Sequence, residues 1–300
     1  MLKIRPETSV APLKHGDEVI TIAPSSIVQD EASLLKGIEI LKGWGLKCRP
    51  QNISRRSWGY LAGNDDLRYR ELHQTNSAPL TFCARGGWGA ARLLEQPQHW
   101  KKGWLVGYSD ISSLLLSRLS KGFDGGVHGP LLTSLYHEPE WSKERLRELL
   151  FGLSIPDLHG ESWVKGIASG PLIVSNLTVG SHLLGSSHIP EIKGSILVLE
   201  DTNEEPYRID RMLTHWRLAG LLQCLSGIAF GDFSQCNDQN QDQQSSTFSI
   251  EEILKERSSD LGIPVIGNLS VGHCRGNAAL PMGRQVILDG NKGKLIVPSS

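Results

Sequence analysis

The chain has few cysteines, almost no net charge and no long apolar run. Its five cysteines are odd in number and never form a C-x-x-C pair, which argues against a disulfide framework and against a cysteine-rich zinc site. A net charge of -1 gives no preference for nucleic acid or for an anionic membrane surface. Residues 1–8 lack the apolar core of a signal peptide, and no later apolar run could span a bilayer. We therefore expect a cytoplasmic protein whose partner is a small molecule or a second copy of itself.

The first half of the chain has the pattern of an α/β domain. With 300 residues, of which 39% are hydrophobic, the chain is long enough for two domains, although one large α/β domain is the alternative. Apolar strand patterns alternate with helical patterns that begin at capping residues. The strands are predicted over 19–23, 80–84 and 104–106, and the helices begin near Asp30, Asn64 and Asp110. This alternation predicts a parallel sheet covered on both faces.

The pattern weakens over residues 151–170, where glycines and a proline interrupt it. We therefore predict an N-terminal α/β domain over 1–150, an interdomain connection over 151–170, and a mixed α/β domain over 171–300. Strands of the second domain are predicted over 172–174, 196–199, 227–230, 264–266, 286–288 and 295–297, and helices over 207–218 and 250–261. The turn-rich residues 289–293 predict a hairpin between the last two strands. The segment 237–246 is nearly all Asn, Asp, Gln and Ser, which predicts a solvated, mobile loop.

A serine follows one of the predicted strands at a sharp turn. The stretch W-L-V-G-Y-S-D over 104–110 is a short apolar run, a glycine, Ser109 and an acid, followed by a helical pattern. Such a strand–turn–helix can expose a serine hydroxyl beside free N–H groups at the start of a helix, which is the geometry that a nucleophilic serine needs. The alternative is that Ser109 only caps the helix.

A serine nucleophile needs a base and an acid that orients the base. His273 lies on a glycine-flanked turn after a predicted strand, and His128 after another strand is the rival base. Glu200 and Asp201 end a buried-strand pattern, at the position where α/β proteins commonly place their sites, and the sequence does not decide between them. Two further histidines, at 182 and 188, lack carboxylates or cysteines at a ligand spacing, so they make only a weak metal site.

A glycine-rich turn, A-R-G-G-W-G-A-A over 84–91, also follows a strand. That context suits a dinucleotide-binding turn, so a nucleotide-dependent oxidoreductase is one hypothesis, but the third glycine position of the fingerprint is Arg92. Two other readings remain open. The glycines can serve the backbone geometry of a tight turn, or their N–H groups can line an oxyanion hole near Ser109.

Four motifs together resemble the serine LD-carboxypeptidases, the family of the muramoyltetrapeptide carboxypeptidases and the microcin C immunity peptidases. They are R-G-G-W-G-A-A-R-L-L, G-Y-S-D, L-V-L-E-D-T-N-E-E-P-Y-R-I-D-R-M-L and V-G-H, in this order, and the resemblance extends over nearly the whole chain. Trp88 stands where the first motif more usually has tyrosine. The resemblance implies an N-terminal Rossmann- or flavodoxin-like domain, a smaller β-rich C-terminal domain and a homodimer.

The resemblance also implies roles for individual residues. Ser109 would be the nucleophile, His273 the general base and Glu200 its orienting acid, which favours Glu200 over Asp201. The oxyanion would be bound by the backbone N–H groups of Asp110 and Gly87, with Gly86 as the alternative to Gly87. No metal or cofactor would be required.

A carboxypeptidase also has to bind a free terminal carboxylate, for which a bidentate arginine is suited. Three arginines lie near the motifs: Arg85, Arg208 and Arg275.

The substrate expected from the resemblance is a murein tetrapeptide that loses its terminal D-alanine in cell-wall recycling. A first alternative is an immunity-type peptidase or amidase that acts on a peptidyl- or aminoacyl-nucleotide toxin. The alternative from another class is a binding protein without catalysis or the oxidoreductase named above.

Overall fold

A computed structural model describes residues 10–49, 51–73, 78–237 and 248–299. The first sheet has six strands in the order β12-β5-β4-β3-β1-β2. Its strands are β1 (Glu18–Ile22), β2 (Lys47–Cys48), β3 (Leu80–Cys83), β4 (Trp104–Gly107), β5 (Gly126–His128) and β12 (Leu280–Pro281). Strands β1 to β5 are parallel, and every residue of β4 is buried, as expected of a parallel sheet covered on both faces.

Two of the five helices described in this half begin at capping residues that the sequence predicts. They are α1 (Glu31–Gly43), α2 (Asp65–Leu72), α3 (Ser112–Ser120), α4 (Leu132–Leu135) and α5 (Glu140–Leu150). Asp30 accepts a hydrogen bond from the Ser33 N–H and caps α1, and Asn64 caps α2 through the Leu67 N–H, so both predicted caps are confirmed. The helix predicted from Asp110 begins instead as a 3₁₀ turn over Ser109–Ile111 that continues into α3.

The second sheet has eight strands in the order β6-β14-β13-β8-β9-β10-β11-β7. They are β6 (Leu158–His159), β7 (Glu161–Val164), β8 (Ile167–Asn176), β9 (Ile196–Thr202), β10 (Gly227–Ser234), β11 (Val265–Gly267), β13 (Gln285–Asp289) and β14 (Lys294–Ile296). Strands β8 to β11 are mutually parallel, and antiparallel strands flank them on both sides. The predicted hairpin is confirmed as β13 and β14. Three helices accompany this sheet: α6 (Leu177–Leu183), α7 (Pro206–Leu218) and α8 (Ile250–Ser258).

The two sheets do not correspond to two separate halves of the sequence. β12 comes from the second half of the sequence but pairs antiparallel with β5 at the edge of the first sheet. Residues 158–164, inside the segment that we predict as a connection, form β6 and β7 of the second sheet. The fold is thus the predicted α/β class with a parallel sheet and a second mixed sheet. The segment predicted as a mobile loop lies outside the described residues, apart from Asn237.

Candidate active site

Ser109 lies at a sharp turn directly after β4. Its φ is +63°, a left-handed backbone conformation that a residue other than glycine rarely adopts. It is the first residue of the 3₁₀ turn, Tyr108 is the residue at the N-cap position, and no side chain caps this turn. Ser109 therefore does not cap the helix that follows. Strained backbone of this kind is concentrated at functional sites.

The glycine turn after β3 packs against this serine. A Cβ added to Gly86 would lie 3.1 Å from Ser109 Oγ, so a larger residue would crowd the hydroxyl. Gly87 has a φ of +106°, and a Cβ there would lie 2.4 Å from Ser26 Oγ. The Trp88 N–H donates to the same Ser26 hydroxyl at 3.0 Å. The glycines are thus required both by backbone conformation and by close packing.

The buried carboxylate of Asp110 fastens this turn to the serine. Asp110 Oδ2 accepts hydrogen bonds from Ser25 Oγ at 2.6 Å and from the Ala90 N–H at 2.8 Å. Ser25 follows β1, so one carboxylate joins the loops after β1, β3 and β4. Burial raises the pKa of Asp110, although these hydrogen bonds oppose the shift. Arg68, fully buried, adds bonds to the carbonyls of Pro24 and Gly89.

His273 and Glu200 form a hydrogen-bonded pair. The distance from His273 Nδ1 to Glu200 Oε2 is 2.7 Å, and the Glu200 side chain is fully buried while 20% of the His273 side chain is exposed. Glu200 lies in β9, paired in register with Asn176 at the end of β8. Gly272 makes the approach possible, because a Cβ there would lie 2.6 Å from Glu200 Oε2.

The ionisation of the pair follows from burial and opposite charge. Burial opposes the charge of Glu200, but the neighbouring His128 and His273 outweigh it and hold the pKa of Glu200 below its usual value. Burial alone would lower the pKa of His273. The hydrogen bond to Glu200 and the negative charges of Glu200 and Asp201 raise it above its ordinary value instead. The pair is therefore arranged to favour a carboxylate beside an imidazole that readily accepts a proton.

Tyr108 brings the two halves of the site together. Its ring centroid is 4.9 Å from that of His273, in an edge-on contact, and Tyr108 is the residue directly before Ser109. The centroid of the His128 ring lies 5.8 Å from that of Tyr108, also in an edge-on contact. The residue next to Ser109 in the chain thus contacts the His273 ring, which is hydrogen-bonded to Glu200.

Asp201 faces a different neighbourhood from Glu200. Its carboxylate accepts hydrogen bonds from Asn176 Nδ2 at 2.9 Å and from the N–H and hydroxyl of Thr178 at 2.8 Å each. These contacts hold the start of α6 against β9. The Asn176 N–H in turn donates to Ser112 Oγ at 3.1 Å. Ser112 is the first residue of α3, directly after the 3₁₀ turn that begins at Ser109.

The loop that carries His273 is attached to the first half of the chain. Glu138 accepts hydrogen bonds from the Gly276 N–H at 2.8 Å and from the Asn277 N–H at 3.1 Å. Asn277 Oδ1 accepts from the Gly272 N–H at 2.9 Å. Glu138 is not among the candidate residues, because its position before α5 carries no signal that it binds a loop about 140 residues away. Glu138 fixes the backbone after His273, and the Asn277 side chain fixes the backbone before it.

The three candidate arginines differ in their surroundings. Arg85 is exposed and donates to the Ile27 carbonyl at 2.7 Å. Arg208 lies in α7 and pairs with both Glu204 and Glu205. Arg275 is exposed, two residues after His273.

The two histidines considered for a weak metal site lie elsewhere. His188 Nδ1 is 2.9 Å from Ser117 Oγ, while His182 is exposed in α6. Among the described residues there is no group of three or more His, Cys, Asp or Glu side chains suited to hold a metal. In the same part of the chain every helix is too short or too polar to cross a bilayer.

Comparison with known proteins assigns the family. A sequence model described as the LD-carboxypeptidase N-terminal domain matches residues 19–129, and one for the C-terminal domain matches 169–288. The chain is 32% identical to the murein tetrapeptide carboxypeptidase of Pseudomonas aeruginosa, over 91% of this chain and 94% of that protein. It is 42% identical to a Synechocystis protein that is provisionally named a carboxypeptidase, over 95% of each.

Solved structures show the same fold. The muramoyltetrapeptide carboxypeptidase from Oxalobacter formigenes superimposes with a TM-score of 0.82 at 26% identity, covering 93% of this chain and 97% of that one. The microcin C7 self-immunity protein superimposes with a TM-score of 0.83 at 21% identity, covering 98% and 99%, and this likeness concerns the fold alone. These matches define the class of protein, which is a serine peptidase that hydrolyses peptide bonds. Within that class, the chain belongs to the LD-carboxypeptidase family.

Proposed function

We propose that this protein is a serine LD-carboxypeptidase that removes the terminal D-alanine from murein tetrapeptides, as part of cell-wall recycling. The observation that carries the proposal is the His273–Glu200 hydrogen bond, held against Tyr108 at the turn of Ser109. The names of the relatives from P. aeruginosa and O. formigenes support a murein tetrapeptide as the substrate.

In the proposed mechanism His273 works as both base and acid. Because its Nδ1 faces Glu200 at 2.7 Å, the Nδ1–H donates to the carboxylate and Nε2 is left to accept a proton. Nε2 takes the proton of Ser109 Oγ as that oxygen attacks the carbonyl carbon of the terminal peptide bond. The same proton then goes to the amine of the departing D-alanine. His273 finally takes a proton from the water that attacks the acyl-enzyme, and gives that proton to Ser109 Oγ as the ester bond breaks and the shortened peptide leaves.

The oxyanion of each tetrahedral intermediate needs donors that are already in place. We propose the backbone N–H groups of Asp110 and Gly87 for this role, with Gly86 as the alternative to Gly87. The Asp110 carboxylate supports this assignment because it binds the Ala90 N–H at 2.8 Å and so holds the glycine turn next to Ser109.

The terminal carboxylate of the substrate would be bound by an arginine. Arg208 is already paired with two glutamates, which favours Arg85 and Arg275 as the proposed ligands. The variants Arg85→Leu and Arg275→Leu should be compared on a tetrapeptide and on the same tetrapeptide with a terminal amide. Replacing the arginine that binds the carboxylate should raise KM for the acid and leave the poor turnover of the amide unchanged.

The decisive experiment measures the release of terminal amino acid by mass spectrometry. Three proteins are incubated with murein tetrapeptide and with its isomer ending in L-alanine. They are the wild type, Ser109→Ala and the control Ser120→Ala, which replaces the last residue of α3. We expect release of D-alanine only, by the wild type and Ser120→Ala. No release, or release undiminished in Ser109→Ala, contradicts the proposal.

An aminoacyl-sulfamoyl adenosine is the third substrate in this experiment. Solved structures of the microcin C7 self-immunity protein include complexes with such compounds. Cleavage of this compound, with the tetrapeptide left intact, would favour the immunity-type activity.

A homodimer is also proposed, and analytical ultracentrifugation of the purified protein tests it.

A further inference from the structure

We propose that His128 is a positioning residue for Glu200, holding the carboxylate oxygen that His273 leaves free. This inference rests on the proposed function of Glu200 and His273. His128 is the histidine whose position after a strand makes it the rival base in the sequence, and as a positioning residue it has another role.

His128 is built into the first sheet beside the serine turn. It is the last residue of β5 and is paired in register with Gly107, the last residue of β4, two positions before Ser109. On its other side it is paired with Leu280 of β12. The backbone at His128 is therefore fixed by ladders on both sides, and the ring projects from a rigid position.

The ring of His128 faces Glu200. His128 Nε2 lies 3.7 Å from Glu200 Oε1, and both side chains are fully buried. Within the described residues, neither ring nitrogen of His128 nor Glu200 Oε1 has a hydrogen-bond partner. Buried polar atoms in native proteins are nearly always paired. We therefore infer that His128 Nε2 and Glu200 Oε1, 3.7 Å apart, are hydrogen-bond partners.

The separation is longer than a hydrogen bond, which for N–H and O needs an approach closer by about 0.7 Å. Hydrogen bonds of catalytic groups are often long in the unliganded state and shorten when the substrate binds. At 3.7 Å a buried carboxylate already attracts a ring N–H, because the interior screens charge poorly.

The surroundings of His128 leave it no direct part in the reaction. Its side chain has no exposed surface, so no ring nitrogen can meet a substrate that enters from solvent. The Tyr108 ring packs against His128 and also against His273. Among the described residues, the contacts of the His128 side chain with titratable groups are those to Tyr108 and Glu200, and Glu200 in turn binds His273.

The consequence is a carboxylate that is fixed at both oxygens. With His273 on Oε2 alone, Glu200 could rotate about its last bond and exchange its two oxygens. A donor on Oε1 stops that rotation and keeps Oε2 aimed at Nδ1 of His273. It also shares the charge of the carboxylate, so that His273 is held less tightly in its protonated form.

Two polar variants test the role of the donor. In His128→Gln the amide nitrogen can occupy about the place of Nε2, whereas in His128→Asn the shorter amide reaches only the place of Nδ1. We expect His128→Asn to lower kcat by about tenfold with little change in KM, and His128→Gln to keep most of the activity. His215→Asn, at an exposed histidine in α7, is the control and should behave as wild type.

A second readout does not require turnover. Titration of the His273 ring by NMR should show a higher pKa in His128→Asn than in the wild type, because the carboxylate then acts on His273 alone. His128→Gln should keep the wild-type value. If the wild type does not hydrolyse the tetrapeptide, the proposed function fails while this titration still tests the pairing. Equal kcat values and equal titrations of His273 in wild type and His128→Asn would overturn the inference, as would equal loss in both variants.

Discussion

At the scale of single residues, Ser109 has a strained backbone at a half-buried turn, and we propose it as the nucleophile. A φ of +63° in a residue with a Cβ costs about 1 kcal/mol. We predict that Ser109→Gly has a free energy of unfolding about 1 kcal/mol higher than that of Ser109→Ala, while both are inactive. Urea denaturation compares the two variants. Equal stability of the two would mean that the turn carries no strain.

The protonation of His273 sets the expected pH dependence. Only the neutral ring can accept the serine proton, so kcat/KM should rise with pH through the pKa of His273. That pKa is raised by Glu200, which places the midpoint above about 6.5. Glu200→Gln removes the negative charge and leaves the effect of burial, so the midpoint should move to lower pH. The maximal rate should also fall, by at least about a hundredfold.

A pH profile of kcat/KM from pH 5 to 9 measures both effects. Asp260→Asn is a suitable control, because this carboxylate is exposed and pairs with Arg217 at the surface. Its profile should match that of the wild type. A midpoint that does not move in Glu200→Gln would show that Glu200 does not control the ionisation of His273.

At the scale of elements, the loop over 272–277 depends on a contact from the other half of the chain. Glu138 is buried and binds two backbone N–H groups of this loop. Glu138→Ala leaves both donors without their acceptor and should lower the free energy of unfolding by about 2 kcal/mol. It should also lower kcat, since the loop carries His273. Urea denaturation and the tetrapeptide assay measure the two effects.

Glu144→Ala is the matched control for that change. Glu144 is exposed on α5, six residues after Glu138, and its removal should alter stability by less than about 0.5 kcal/mol. If Glu138→Ala kept both the stability and the activity of the wild type, the attachment of the loop would not matter for the site.

The elements that the sequence predicts well are those with local signals. Asp30 and Asn64 cap helices through bonds to residues three positions away, so short patterns suffice to find them. The two residues of β12 have no periodicity to detect, and their partner β5 is about 150 positions away. Glu138 was missed for the same reason, because its partners are distant in sequence.

The candidate site follows the same rule. Ser109, Glu200 and His273 can be predicted from the sequence because each follows or ends a predicted strand and lies in a motif that resembles the family. Their catalytic roles stay a prediction. The contacts that hold them could not be predicted, since Ser25, Ala90 and Asp110 meet only after three strands of a sheet are aligned.

At the scale of the whole molecule, β12 connects the two halves of the chain. It comes from the second half of the sequence but pairs with β5 in the first sheet. Leu280 is fully buried in β12, at the edge of the first sheet, although the chain on both sides of it belongs to the second half. Leu280→Ala removes buried methyl groups and should lower the free energy of unfolding by about 2–5 kcal/mol. Because β12 lies between β11 and β13 of the second sheet in the sequence, we expect the loss of stability to appear in both sheets together.

Hydrogen exchange followed by mass spectrometry resolves the two sheets in one experiment. In Leu280→Ala, protection should decrease by a similar factor in peptides that cover β3 of the first sheet and β9 of the second. Leu218→Ala, at a leucine that is 84% exposed at the end of α7, makes the same chemical change without burial and should leave both unaltered. Loss of protection in β3 alone would show that the sheets unfold independently. In that case only the contacts between loops, and not cooperative folding of the two sheets, would hold the serine turn beside the His273–Glu200 pair.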